Sequence, residues 1–316
     1  MTTDTPDIEF EKSPCPMGCH ASDELIVIGQ DRINHLPGEF HVVKCQQCGL
    51  MRTDPRPTSD SMGFYYPDDY GPYLGTQASA NNTRSAALKR WLRTILDVRS
   101  EYIPKIAPGK LLEIGCASGA YLQKMEGMGW QVTGIEFSPH AAEAARELGY
   151  PVYAGSLESA TLESTDFDLI TGWMVLEHLH DPVAGLHKLY EWVRPGGWLA
   201  FSVPNAASLE FKLLKERWYA LHLPNHLYHY TPDTIRAMLT HTGWTTPTIY
   251  HQRTLSSLLA SMGHFLDDKG YHHISRWVVG KPQDPVRLYQ VLYPLAMLAA
   301  TMGQTGRMTV WARKPG

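Results

Sequence analysis

The sequence has no surplus of basic charge: 28 Lys and Arg are outnumbered by 32 Asp and Glu, for a net charge of −4. A protein that tracks a phosphate backbone needs the opposite balance, so nucleic acid is not an expected partner. No apolar run reaches the roughly 18–20 residues that a membrane span requires. The richest, Val291 to Met302, is shorter and contains Pro294. Met1 to Ser13 is polar and mildly acidic, without the basic and apolar regions of a secretory signal, so the expected location is cytoplasmic. Cysteine is scarce as well, with five residues in 316. In a reducing compartment, closely spaced cysteines favour metal over disulfide.

What is present divides the chain unevenly. Hydrophobic residues make up 43% and charged residues 19%, the balance of an ordinary globular protein. Residues 1–75 hold both cysteine pairs, strand-like runs at Glu24–Ile28 and Phe40–Lys44, and the exit Asp54-Pro55-Arg56-Pro57. An aromatic stretch follows, with Tyr65, Tyr66, Tyr70 and Tyr73, and then a small, polar linker from Thr76 to Thr83. Leu88, Leu92, Ile95 and Leu96 recur at helical spacing between Arg84 and Ile103.

After Pro108-Gly109 strands and helices alternate. Strands are expected at Lys110–Ile114, Gln131–Glu136, Val152–Ala154, Phe167–Thr171, Trp198–Val203, Thr246–Tyr250 and Met308–Ala312. Helices are expected at Ala120–Met128, Pro139–Leu148, Pro182–Trp192 and Pro232–Thr242. The fold expected for 76–316 is therefore α/β: a Rossmann-like, seven-stranded, mostly parallel sheet with helices on both faces. An insert at about 255–306 interrupts the alternation. Its apolar stripe, running from Leu288 to Met302, suits a helix packed on the core or on a homodimer partner; a substrate lid or membrane-surface contact is the other reading.

The strongest local signal is Leu111-Leu112-Glu113-Ile114-Gly115-Cys116-Ala117-Ser118-Gly119. An apolar strand ends beside an acid and turns through two glycines into a helix. Dinucleotide sites need Gly-x-Gly-x-x-Gly, whose middle glycine admits the pyrophosphate; here Ala117 and Ala120 occupy the second and third places. A carboxylate at the strand tip repels phosphate but welcomes an ammonium group. The turn therefore fits S-adenosylmethionine (SAM) better than NAD. Glu136 ends the next strand, at the spacing from the loop where an acid accepts from both ribose hydroxyls. Cys116, inside the turn, reads as a small packing residue.

The run from Leu111 to Asn205 resembles the SAM domain of class I methyltransferases, in the ubiquinone-biosynthesis-like and sugar-methyltransferase-like branch. The resemblance rests on Leu-Glu-Ile-Gly-Cys-Ala-Ser-Gly at 112–119 and Gly-Ile-Glu-Phe-Ser at 134–138. It continues in Phe167-Asp168-Leu169-Ile170, Val175-Leu176-Glu177-His178-Leu179 and Arg194-Pro195-Gly196-Gly197. It implies that SAM is held by the 113–119 loop with Glu136 and Phe137. Ser156 and Leu157 would flank the adenine, and Trp173 and Met174 would line the cleft.

Cys15-x-x-x-Cys19 and Cys45-x-x-Cys48-Gly49 form two thiolate knuckles. Together they supply the four ligands of a closed, structural zinc-ribbon-like site, which holds together a module too small to bury its own core. The first knuckle is one residue longer than the second, and His20 beside it offers an alternative to Cys19. The segment from Val43 to Tyr70 resembles the zinc-binding N-terminal region of certain sugar C-methyltransferases.

Methyl transfer to a hydroxyl or activated carbon needs alignment and a base. Among 15 histidines, His226 is the first candidate, because its position in Leu221–Pro232 resembles that of the sugar-branch base. Asn225 precedes it where that branch has glutamate, so any carboxylate support comes from elsewhere. His178 with Glu177 after the fourth strand is the second candidate, and His229 lies in the same loop. The reading is SAM-dependent methylation of a small molecule such as a sugar, phenol or natural-product intermediate. The alternatives are an RNA methyltransferase gripping its substrate through the zinc module, an NAD-dependent oxidoreductase, and a silent SAM-binding protein.

Overall fold

The computed structural model describes residues 8–66, 101–162, 165–279 and 286–316. The linker and helix expected between 67 and 100, with Tyr70 and Tyr73, lie outside them. Strands are numbered β1 (Phe10–Glu11), β2 (Asp23–Gly29), β3 (Phe40–Cys45), β4 (Met51–Thr53), β5 (Arg56–Pro57), β6 (Lys110–Ile114), β7 (Gln131–Glu136), β8 (Val152–Ala154), β9 (Phe167–Trp173), β10 (Val193–Pro204), β11 (Tyr228–His229), β12 (Thr248–His251) and β13 (Arg307–Arg313). The described helices are α1 (Ala120–Glu126), α2 (Pro139–Glu147), α3 (Pro182–Trp192), α4 (Leu209–Leu214), α5 (Pro232–His241), α6 (Ser256–Asp268), α7 (His272–Val279) and α8 (Val286–Thr301).

Seven strands form one sheet in the order β12-β13-β10-β9-β6-β7-β8. Pairing is parallel from β10 through β8, while β13 runs antiparallel to both β10 and β12. Strands β6 and β9 are almost wholly buried, as befits strands covered on both faces. Chain order reverses across β6: β7 and β8 extend one way and β9 and β10 the other. Loops leaving the carboxyl ends of β6 and β9 therefore diverge and open a crevice, the position where such sheets bind ligands.

Three helices start by the same local device. Ser138, Asp181 and Thr231 each accept a hydrogen bond from the backbone three residues on, and proline occupies the first turn of α2, α3 and α5. Proline loses nothing there, since that N–H has no helical partner.

A second sheet, ordered β11-β4-β3-β2, joins the N-terminal strands to Tyr228–His229. Val27, Phe40, Val42 and Tyr65 pack with Phe211, Trp218 and Leu221 in one buried cluster. Buried Arg52 pairs with Asp23 at 2.6 Å, and Arg56 donates to the carbonyl of His180 at 2.8 Å. The module and the loop that carries the histidines are thus built together.

The insert holds α6, α7 and α8. The apolar stripe on α8 mostly faces outward: Val291 is 75% exposed, and Leu295, Leu298 and Met302 are also exposed, while Ala296 is buried. This exposure counts against the core as the surface that covers the stripe. Among the side chains described on α8, Ala296 is the buried one. No described helix is long and apolar enough to cross a membrane.

Candidate active site

The turn after β6 is strained in a way its residues permit. Gly115 has φ of +70°, and a Cβ there would lie 2.8 Å from Val175 Cγ2. Ala117 also has positive φ, at +46°, and its N–H donates to Glu136 Oε2 at 2.8 Å. The other oxygen of Glu136 accepts from Ser138 N–H at 2.8 Å. Glu136 therefore ties the loop to the tip of β7, an arrangement that spacing alone did not reveal. Burial raises its carboxyl, and these backbone donors oppose the rise.

Glu113 lies beneath the loop, buried, with Oε2 lacking a hydrogen-bond partner among the described residues. Its carboxyl is pushed well up, first by burial and then by the negative fields of Glu101 and Glu136, against a smaller pull from Lys124. Two acids whose fields reach each other favour a cation beside them. Cys116 is buried with its thiol against Gly134, and burial raises its pKa. Ser118 and Gly119 complete the turn, with Ser118 buried. Phe137 is 53% exposed at the rim.

Across the crevice, Trp173 ends β9 and meets Tyr121 edge to face at 5.5 Å. Met174 follows with φ of +60° and donates its N–H to Ser202. After β8, Ser156 accepts from Ser159 N–H at 3.2 Å. Leu157 is buried in the core and lines a small cavity with Ile114, Val175 and Phe201.

Glu177 and His178 lie on the 3₁₀ turn after β9. His178 and His226 meet at 4.7 Å between ring centroids, and His222 lies 4.8 Å from His226. His229 does not share these ring contacts; its Nε2 lies 3.5 Å from Thr53 Oγ1 under the N-terminal sheet. Burial lowers His178 to about 4, His222 to about 3 and His229 to about 3, and takes His226 well down. Neutral imidazole is thus the resting form at neutral pH. His226 is 4% exposed, whereas His178 is half-buried. Tyr66 OH lies 2.8 Å from His178 Nδ1, and its ring is 6.3 Å from Phe137. One aromatic side chain from the N-terminal region thereby bridges the rim of the glycine turn and the histidines. Asn225, which stands before His226, donates to the Tyr65 carbonyl at 2.7 Å and fixes that connection.

The four N-terminal thiols lie within 4.8 Å of one another, and Cys15 and Cys48 are 3.5 Å apart. Gly18, at φ of +70°, absorbs the extra residue of the first knuckle. Cys19 is the member of this group, and His20 is exposed outside it. Burial raises the Cys45 thiol, but the backbone N–H groups of Cys48 and Gln47 outweigh it and leave the thiol lowered to about 7. Burial raises Cys19 to about 11.

Several known proteins are similar to this chain. Ubiquinone biosynthesis O-methyltransferase of Xanthomonas oryzae pv. oryzae (strain PXO99A) is 30% identical over 153 residues, covering 44% of this chain and 63% of that protein. The protein of the same name from Aromatoleum aromaticum is 34% identical over 124 residues, covering 36% and 53%. The chain thus spans less than two thirds of the length of these relatives. Phosphoethanolamine N-methyltransferase 2 of Haemonchus contortus, solved with S-adenosyl-L-methionine, is 16% identical with a TM-score of 0.50, covering 84% of this chain and 63% of that one. This last likeness is one of fold. A methyltransferase-domain family matches residues 83–249, more than half of the chain, and the protein belongs to the class I SAM-dependent methyltransferases.

Proposed function

We propose that the protein transfers the methyl group of SAM to a hydroxyl oxygen of a small molecule. The observation that carries the reading is the buried acids Glu113 and Glu136 around a glycine turn, with no partner for Glu113 Oε2 among the described residues. An ammonium group satisfies that oxygen, and a pyrophosphate would be repelled by it. SAM supplies an activated methyl group and a good leaving group. Glu113, the 115–119 turn, Glu136, Phe137, Ser156, Trp173 and Met174 are the residues proposed to hold it. The names of the curated relatives support oxygen as the accepting atom.

The acceptor is proposed to sit beside Tyr66 and His178, where the hydroxyl loses its proton at the histidine cluster. Of the three candidate histidines, His178 is the one a solute can approach, because His226 and His229 are sealed. Alignment accounts for most of the rate and proton removal for about 10²–10⁴-fold of it. Cys15, Cys19, Cys45 and Cys48 are proposed to hold a structural zinc, a donor set that suits that ion and leaves no ligand position open for chemistry.

Calorimetric titration tests the reading directly. Heat is expected with SAM and with S-adenosylhomocysteine, and none with NADH. Uptake of NADH without uptake of SAM would overturn it. Transfer of labelled methyl to a panel of phenols and sugars then identifies the acceptor class, and labelling at carbon alone would correct the choice of oxygen.

A further inference from the structure

The methyl-transfer reading uses the accessible edge of His178 and leaves two neighbours without a role. Glu177, His178 and His226 each offer a ligand atom, and these atoms lie within 4.8 Å of one another. The Glu177 side chain is completely buried, and neither carboxylate oxygen hydrogen-bonds another of the described residues. Arg307 acts on it only through space. A buried carboxylate left in this state is costly unless something pairs with it.

The two imidazoles are oriented alike. His178 Nδ1 lies 2.9 Å from the Asn225 carbonyl and His226 Nδ1 lies 2.8 Å from that of Ala220. A carbonyl only accepts, so each Nδ1 carries the proton and each Nε2 keeps its lone pair. Metal-ligating histidines are held this way, with the second nitrogen donating to a carbonyl or carboxylate. The rings stand at 79° to each other and do not stack. Contacts from opposite ends of the chain fix the assembly, since Thr53 Oγ1 donates to the His226 carbonyl and Leu227 N–H to that of Glu177.

We infer that Glu177, His178 and His226 form a binding site for a divalent cation, through one carboxylate oxygen and two imidazole nitrogens. This donor set takes Mn²⁺, Fe²⁺ or Zn²⁺, and three protein ligands leave coordination positions open. Tyr66 holds the other edge of His178, its hydroxyl 2.8 Å from Nδ1. A hydroxyl bound at an open position would be acidified as metal-bound water is: its proton would pass to solvent water and its oxygen would stay on the cation, with His178 then a ligand and not the base. That role in turnover rests on the proposed methyl transfer; the binding of the cation does not.

The test is Mn²⁺ titration of the full chain with its zinc module loaded, followed by electron paramagnetic resonance, because Mn²⁺ competes poorly for thiolates. One bound Mn²⁺ per chain is expected, with spin-echo modulation from imidazole nitrogen. Glu177→Gln should weaken binding at least about tenfold while SAM titration on the same sample shows the fold intact. Absence of stoichiometric Mn²⁺, absence of imidazole modulation, or equal affinity in E177Q overturns the site. If E177Q no longer binds SAM and has therefore misfolded, the imidazole modulation of the wild type decides alone. A wild type that takes up SAM but not Mn²⁺ sinks the cation site only. One that takes up Mn²⁺ but not SAM sinks the methyl-transfer reading only.

Discussion

Two buried carboxylates stand at the carboxyl ends of β7 and β9, on either side of β6, and are treated oppositely. Glu136, at the end of β7, has a backbone N–H donor on each oxygen. Glu177, just past β9, has none from another of the described residues, and burial raises it to about 8, with its own backbone N–H and Arg307 pulling the other way. The first carboxylate fixes the shape of a loop, with both oxygens oriented by those donors. The second spends stability on a polar group that the fold itself does not use. Such an arrangement is characteristic of sites rather than of cores.

Gly115→Arg gives the largest expected effect and bears on the Glu136 side alone. A side chain at φ of +70° is strained, and its Cβ would collide with Val175. SAM binding should fall below calorimetric detection while the circular dichroism spectrum keeps its αβ form. Glu136→Ala should weaken SAM binding too, because the Ala117 and Ser138 N–H groups lose their common acceptor. Normal binding in both variants would move the cofactor to another place.

Next in size is the contrast between two histidines. His178→Ala should lower kcat by about 100-fold or more with little change in SAM affinity. His229→Ala removes a sealed ring on Thr53 and should leave kcat nearly intact while costing about 1–3 kcal/mol of stability. Equal kinetic losses in the two would mean that the cluster acts through packing.

The legibility of the two sides differs for a physical reason. The cofactor side is contiguous: Glu113, Gly115 and Gly119 lie in one strand–turn–helix unit, and Glu136 follows at a fixed spacing. The caps at Ser138, Asp181 and Thr231 are equally local, which is why helix starts were readable. The histidine side is assembled from residues 53, 65, 66, 178 and 225–229, through contacts such as Asn225 to Tyr65 that no periodicity announces. Strand β11, which seats His229, is two residues long, too short to show alternation. The α8 stripe was visible, but a pattern reports amphipathicity and not which surface covers it.

The thiolate module is a smaller lever on the same contrast, since its sheet includes β11 and so helps seat the loop that carries His226. Cys45→Ser should lower bound zinc below one per chain and the thermal midpoint by about 10 °C. SAM affinity in the folded fraction should persist, because none of the proposed cofactor residues belongs to that sheet. Full zinc content in C45S would remove Cys45 from the ligand set.

Another buried carboxylate, Glu210, sits between the two extremes and gives the smallest expected effect. It accepts from Trp218 Nε1 at 3.3 Å and from Gly306 N–H at 3.2 Å. Burial raises it from 4.5 to about 7, with Trp218, Gly306 and Arg307 opposing. The unfolded chain therefore releases this proton near pH 4.5, whereas the folded chain holds it to about 7. Stability contributed by the neutral carboxyl is complete below the lower value and is lost as pH rises through the upper one. At pH 8 the accumulated loss is about 3 kcal/mol at most. Glu210→Gln does not titrate, and its single carbonyl oxygen keeps only part of the pairing with the two N–H donors. Urea unfolding should therefore find the variant slightly less stable than wild type at pH 5 and more stable at pH 8. A difference of the same sign and size at both values would mean that Trp218 and Gly306 hold this carboxylate charged, placing it with Glu136 rather than with Glu177.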